Sequence, residues 1–324
     1  MRRRHVAAIA AAAILTVVYF LNASWFAPVP KGTAQLLAHR GIHQTFKREG
    51  VTRDSCTAKQ INRPTNPYLE NTLPSMAASF AAGATIIELD VHPTTDGEFA
   101  VFHDWGLECR TNGKGVTRQK SLVYLKTLDV GYGYTADAGK TFPFRGDGVG
   151  MMPSLNEVLS AFPGKTFLIN VKSRDPNESE RLIAYLVDHG FPIDQRLWVF
   201  AEGPAYRRLR ELAPLARLDS KQSLKSCTAL YLAVGWTGHV PASCRNGSIA
   251  VPTNLRMVFW GWPNRFLTRM RNAGVNIMLL GPVGSDELGI TDVDQLGAIP
   301  LGFSGTIMTD QIEVIGPEFK RRIF

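Results

Sequence analysis

Within the apolar run at residues 86–91, Ile-Ile-Glu-Leu-Asp-Val, two carboxylates stand two positions apart. On a β-strand that spacing sends Glu88 and Asp90 to the same side. Buried carboxylates are costly unless a cation, a basic partner or a shifted pKa relieves them. A second run, Phe167-Leu168-Ile169-Asn170-Val171-Lys172, repeats the pattern with Asn170 and Lys172. Two strands thus offer polar pairs to one cavity. A cross-strand ion pair or a solvent-facing edge would account for the same letters.

At the end of another apolar run, Ala38-His39-Arg40-Gly41 sets an imidazole and a guanidinium beside a glycine. Arginine suits bidentate contact with a phosphate, and glycine lets a ligand approach the backbone. Taken singly, a histidine at a strand end is more often a hydrogen-bonded structural residue. Further on, Asp96-Gly97 is a strong turn signal. It would fold residues 98–102 back beside Glu88 and Asp90, bringing His103 near them with Asp104 able to orient the ring. Two histidines beside carboxylates can serve as general base and general acid, because imidazole titrates near neutrality. Glu70 adds an acidic group at a loop-to-helix junction, where Asn71 or Thr72 is a candidate helix cap and Glu70 itself could be surface charge.

These groups need elements to hold them. Short apolar runs recur at 36–39, 85–91, 166–171, 197–201, 216–218, 248–251, 276–280 and 305–309, with helical patterns at 73–82, 154–161, 178–190, 204–213 and 264–273. The alternation predicts repeated βα units and a parallel sheet closed into an α/β barrel. The run at 216–218 is the shortest, and 220–247 could be a further insertion. Two stretches break the rhythm, about 42–69 and about 105–150. Structureless loops of that length are uncommon unless functional, and strand-to-helix loops crown the face that holds a barrel's site.

The N-terminal MRRRH and the apolar stretch Val6 to Leu21 read as a basic region followed by an export or anchoring segment, so residues 1–30 are assigned to a membrane anchor or signal peptide and 31–324 to the barrel. Positive charge ahead of the apolar run keeps the N-terminus cytoplasmic and sends the rest across the membrane. No clear small-x-small cleavage site follows, which favours a retained anchor and an extracytoplasmic barrel. The formal net charge is +8, and Arg2, Arg3, Arg4, Lys320, Arg321 and Arg322 supply six of those charges. The rest of the chain is nearly balanced and lacks basic runs interleaved with aromatics, which argues against a nucleic-acid partner. Cys56, Cys109, Cys227 and Cys244 form an even set that an exported chain can oxidise; of the three possible pairings, proximity favours Cys227 with Cys244, leaving Cys56 with Cys109.

Together, Ala38-His39-Arg40-Gly41, Glu70-Asn71-Thr72-Leu73-Pro74, Ala82-Gly83-Ala84 followed by Glu88-Leu89-Asp90-Val91, Thr95-Asp96-Gly97 and Val101-Phe102-His103-Asp104 resemble, in order and spacing, the glycerophosphodiester phosphodiesterase family. Gly305-Thr306-Ile307-Met308-Thr309-Asp310 resembles that family's last barrel strand. The resemblance implies a (β/α)₈ TIM barrel that binds Ca²⁺ or Mg²⁺ and hydrolyses small phosphodiesters such as glycerophosphocholine. It makes His39 and His103 the acid–base pair, Glu88 and Asp90 metal ligands, and Arg40 and Lys172 the phosphate-binding groups. Glu70 is implied as a ligand or a neighbour of one.

One position departs from the pattern. The family usually carries a glutamate where this chain has Asn170, whose amide oxygen can still ligate a hard cation but brings no charge. Two other functions fit the same letters: a phospholipase D-like phosphodiesterase acting on lysophospholipids at the membrane, and a non-catalytic phosphodiester-binding barrel.

Overall fold

The computed structural model describes residues 2–52, 55–284 and 287–323. A long helix, α1 (Arg2–Asn22), precedes β1 (Gln35–His39), α2 (Leu73–Ala82) and β2 (Ile86–Pro93). A hairpin returns as β3 (Phe99–Val101), followed by α3 (Leu122–Leu125) and α4 (Leu155–Ala161). Regular alternation then runs through β4 (Thr166–Val171), α5 (Pro176–Asp188), β5 (Trp198–Phe200), α6 (Gly203–Leu212), β6 (Arg217–Asp219), α7 (Lys221–Val234), β7 (Ser248–Pro252), α8 (Asn264–Asn272), β8 (Asn276–Leu280), β9 (Thr306–Thr309) and α9 (Ile312–Ile323).

The sheet runs β6-β5-β4-β2-β1-β9-β8-β7, parallel throughout, with β3 pairing antiparallel to β2 outside that path. The eight expected strands all form, and 220–247 is an ordinary helical connection built on α7. The connection from β8 to β9 is the exception, its described residues holding a 3₁₀ stretch, Val293–Ala298, and no α-helix.

The barrel is nearly closed, and its seam lies between β6 and β7. No ladder pairs these two strands; Leu218 N–H donates to Asn246 O at 3.1 Å. Asp219, fully buried, accepts from Ser248 N–H (2.8 Å), Ser248 Oγ (2.6 Å) and Trp198 Nε1 (2.9 Å). Burial pushes its carboxyl up, and the three donors partly offset that.

Side chains of β2 alternate as the pleat requires. Ile87, Leu89 and Val91 face the helices and join the main core, whereas Ile86 points inward with Leu37, Leu168, Trp198, Met278 and Met308. That apolar layer is the floor on which the next inward residues, Glu88 and Asp90, stand.

The two insertions form a second core of their own, in which Ile61, Leu69, Phe102, Leu107, Leu128, Tyr134 and Phe144 are buried. The expected disulfides Cys56–Cys109 and Cys227–Cys244 are both present, the first joining the two insertions. Helix α1 is exposed along its length and apolar enough to cross a membrane. Its end is fastened to the barrel: Arg269 Nη2 donates to Leu21 O (2.8 Å), Arg269 Nη1 to Asn22 Oδ1 (3.0 Å) and Asn264 N–H to Ser24 Oγ (2.7 Å).

Asp219→Ala strands two N–H donors and a hydroxyl at the barrel seam. It should cost roughly 2–4 kcal/mol, read as a lower urea midpoint; an unchanged midpoint would remove Asp219 from the closure.

Candidate functional site

Parallel pairing brings the candidate residues to one end of the barrel. His39 is in register with Glu88, and Asp90 with Asn170. All lie toward the C-terminal ends of their strands. Arg40 and Lys172 follow directly after β1 and β4, and Asp310 after β9. At the end of β1 the chain turns sharply: Arg40 and Gly41 both have positive φ, as does Asn71 opposite them. Asn71 N–H donates to Arg40 O (3.0 Å), and Arg40 N–H to Glu88 O (3.0 Å). A Cβ on Gly41 would lie 2.3 Å from Ser75 Oγ, so this turn needs glycine. Non-glycine residues held in the left-handed region cost about 1–3 kcal/mol each and cluster at functional sites.

All eight sequence-derived residues come together. Asn170 Nδ2 donates to Glu88 Oε1 and Asp90 Oδ1, each at 3.0 Å. Lys172 Nζ lies 3.2 Å from Asp90 Oδ1, and Arg40 Nε 3.4 Å from Asp90 Oδ2. Thr72 caps α2 through Ser75 N–H, while Asn71 Nδ2 turns to Asp90 Oδ2 at 3.1 Å. Glu70 is not surface charge: its oxygens meet Arg40 Nη1 (3.3 Å) and Arg110 Nη2 (3.2 Å).

Each histidine is held through Nδ1 by a carboxylate, His39 by Asp310 (2.6 Å) and His103 by Asp104 (2.7 Å). In the tautomer that satisfies both contacts, Nδ1–H donates. Their surroundings push the rings apart. Burial and Arg40 pull His39 down, but Asp310 and Glu88 outweigh them and the ring sits above its usual value. Burial and Arg40 pull His103 down to about 4, with Asp90 and Asp104 opposing only in part. The carboxylates diverge too. Burial, reinforced by Asp90, raises Glu88; burial acts the same way on Asp90, but Lys172, His103 and Arg40 hold it well below the usual range.

Among the described residues, no three His, Cys, Asp or Glu side chains converge as a ready metal site. The donor chemistry still fits a hard cation. Glu88 Oε2 is buried without a hydrogen-bond partner, 3.9 Å from His39 Nε2. It calls for a proton or a positive group. Half a turn of the Asn170 amide replaces its NH₂ with an oxygen facing both carboxylates, the ligand type that Ca²⁺ and Mg²⁺ take.

Three buried residues to which the sequence motifs give no role join the site. Asp310 closes the Gly305–Asp310 segment and directly follows β9, where a site residue belongs. His43 sits edge-on to His39, with ring centroids 6.2 Å apart. Arg110 lies within an insertion that carries no periodic signal.

A family model described as the glycerophosphoryl diester phosphodiesterase family matches residues 39–207. A glycerophosphodiester phosphodiesterase of Caldanaerobacter subterraneus is 32% identical over 127 residues, which is 38% of this chain and 49% of that protein. Another, from Bacillus subtilis, is 36% identical over 127 residues, 37% of this chain and 42% of its own length. The matched stretch thus spans about half the length of these curated relatives. Among solved structures, a glycerophosphodiester phosphodiesterase from Agrobacterium tumefaciens superimposes with TM-score 0.56 at 22% identity, covering 89% of this chain and all of that one. An Oleispira antarctica phosphodiesterase, in complex with the product sn-glycerol-3-phosphate, gives 0.53 at 19% identity, covering 91% of this chain and 98% of that one. At such identities the structural likeness speaks for the barrel fold.

His39, with its folded pKa raised, contributes stability that is present below about pH 6.5 and is lost as pH rises through the folded value. Asp310→Asn keeps an acceptor for Nδ1 but removes the charge. The His39 ring should then titrate at lower pH, followed by its Cε1–H resonance; an unmoved titration would exclude Asp310 as the cause.

Proposed function

Since the chain belongs to the glycerophosphoryl diester phosphodiesterase family, we propose that it hydrolyses glycerophosphodiesters such as glycerophosphocholine or glycerophosphoethanolamine to glycerol 3-phosphate and an alcohol. The observation that carries this reading is the pair of imidazoles, each fixed through Nδ1 by its own carboxylate, beside Glu88, Asp90, Arg40 and Lys172. The product bound in the Oleispira antarctica neighbour supports the substrate class.

Arg40 and Lys172 bind the phosphoryl oxygens and offset the charge that builds there in the transition state. Glu88, Asp90 and, with its amide turned, the Asn170 oxygen would hold a divalent cation, Ca²⁺ or Mg²⁺. Glu70 lines the same cavity, where it orients Arg40. When bound, the cation supplies Lewis-acid neutralisation of the phosphodiester. His103, neutral at physiological pH, takes the proton of the nucleophile, either water or the glycerol hydroxyl next to the phosphate; the latter route passes through a cyclic phosphate that is then hydrolysed. His39, the ring held above its usual value, protonates the departing alkoxide.

The exposed apolar helix α1 and the two disulfides support a barrel tethered at the extracytoplasmic side of a membrane.

Purified full-length protein should release glycerol 3-phosphate from glycerophosphocholine, and His39→Ala and His103→Ala should each lower kcat about 10²–10⁴-fold. Full activity in both variants would defeat the assigned chemistry. Lysophosphatidylcholine, tested at equal concentration, should turn over more slowly; the reverse order would make the chain a lysophospholipid enzyme. EDTA should abolish turnover, and Asn170→Glu should tighten Ca²⁺ binding in calorimetry by adding a charged ligand. Ca²⁺ binding unchanged by Asn170→Glu would place the cation elsewhere, and binding without any turnover would mark a binding protein.

A further inference from the structure

Arg110 belongs to the 105–150 insertion, yet its guanidinium is buried beside the site, 3% exposed, with every nitrogen engaged. Nη1 donates to Asp104 Oδ2, Nη2 to Glu70 Oε2 (3.2 Å) and Thr57 Oγ1 (2.8 Å), and Nε to the Tyr134 hydroxyl (3.1 Å). The second oxygen of each carboxylate goes to a site residue: Asp104 Oδ1 to His103 Nδ1 at 2.7 Å, Glu70 Oε1 to Arg40 Nη1 at 3.3 Å. Two chains of contacts, one ending on an imidazole and the other on a phosphate-binding guanidinium, therefore meet on one side chain.

The planar fork suits that junction. Its nitrogens point in fixed directions, so the acceptors they meet are fixed as well. An ammonium at position 110 would keep the charge but could not reach four acceptors in one plane. Without a cation there, Asp104 and Glu70 would each lose a charged partner and repel one another, and each could turn away from its remaining site partner.

The insertion also carries the means of holding the fork. Cys56 precedes Thr57 and Cys109 precedes Arg110, so the Cys56–Cys109 disulfide fastens together the two backbone segments that the Arg110–Thr57 hydrogen bond joins.

We propose that Arg110, held by the Cys56–Cys109 disulfide, is a positioning residue for the phosphodiesterase reaction: through Asp104 it fixes the tautomer and ring plane of His103, and through Glu70 it fixes the reach of Arg40. The kinetic part rests on the activity proposed above. The tautomer part does not.

The experiment uses the full-length chain with Arg110→Lys, Arg110→Gln, Asp104→Asn, the Arg110→Gln/Asp104→Asn pair and Cys56→Ser/Cys109→Ser. Three readouts are compared: kcat and KM on glycerophosphocholine, thermal unfolding, and ¹⁵N-histidine long-range spectra with His103 assigned by His103→Gln. Wild type should show the Nδ1–H tautomer. Arg110→Gln should give a tautomer mixture, a kcat about tenfold or more lower, as loss of an oriented group entails, and a raised KM as Arg40 loosens. Arg110→Lys should recover part of kcat, and Asp104→Asn should add little to Arg110→Gln. The double cysteine variant should move tautomer and kcat in the same direction by less.

A folded Arg110→Gln with an unmoved tautomer and kcat within twofold of wild type overturns the proposal, as does full additivity with Asp104→Asn. Should Arg110→Gln fail to fold, the Lys and cysteine variants decide: an unmoved His103 tautomer in both overturns it. Wild-type protein without turnover would sink the activity, and the tautomer spectra would still decide the role of Arg110.

Discussion

Everything at the catalytic end follows from two carboxylates placed inside a barrel. The registers of β1, β2 and β4 bring Glu88 beside His39 and Asp90 beside Asn170, above a floor of Leu37, Ile86, Leu168 and Trp198. Charges set over an apolar layer are poorly solvated, so the fold must supply compensation within a few ångströms. It does so from the loops: Arg40 from the turn after β1, Lys172 from just beyond β4, and Asn71 from the start of α2. The compensation is uneven. Asp90 is surrounded by donors and cations and stays charged, while Glu88 keeps an unpartnered oxygen and is driven up.

That unevenness separates the two histidines. Both are half-buried and each has a carboxylate on Nδ1, yet they titrate on opposite sides of their ordinary value. His39 lies between Asp310 and Glu88, whose negative charges together overcome the cost of burial. For His103, burial and the nearby Arg40 outweigh Asp90 and the hydrogen bond to Asp104, and the ring is pulled down. Two similar contacts thus leave one ring above the ordinary imidazole value and the other below it.

The insertions contribute more than walls. With their own apolar cluster and disulfide they form a cap, and the cap extends ion pairs down into the barrel mouth. At the opposite flank, the hydrogen bonds from Arg269 and Asn264 tie the end of α1 to α8, so the apolar helix and the barrel do not hang on a loose linker.

The sequence by itself determined the strands, their order and most of the site, because period-two alternation and strand-end position are local properties. Glu88 and Asp90 had to share a side, and Asp96-Gly97 had to return the chain toward them. Local pattern also sufficed for both disulfides, since four cysteines leave few pairings. What only the tertiary structure decided are relations between distant segments. Asp310 orients His39 across 271 residues of chain, and Arg110, in a stretch without periodicity, joins Glu70 to Asp104. The role of Glu70 as a partner of two guanidinium groups, and the amide of Asn170 bridging both carboxylates, were likewise closed to the sequence. Electrostatic partnership depends on distance in space and on burial, and neither is encoded at the position of any single residue.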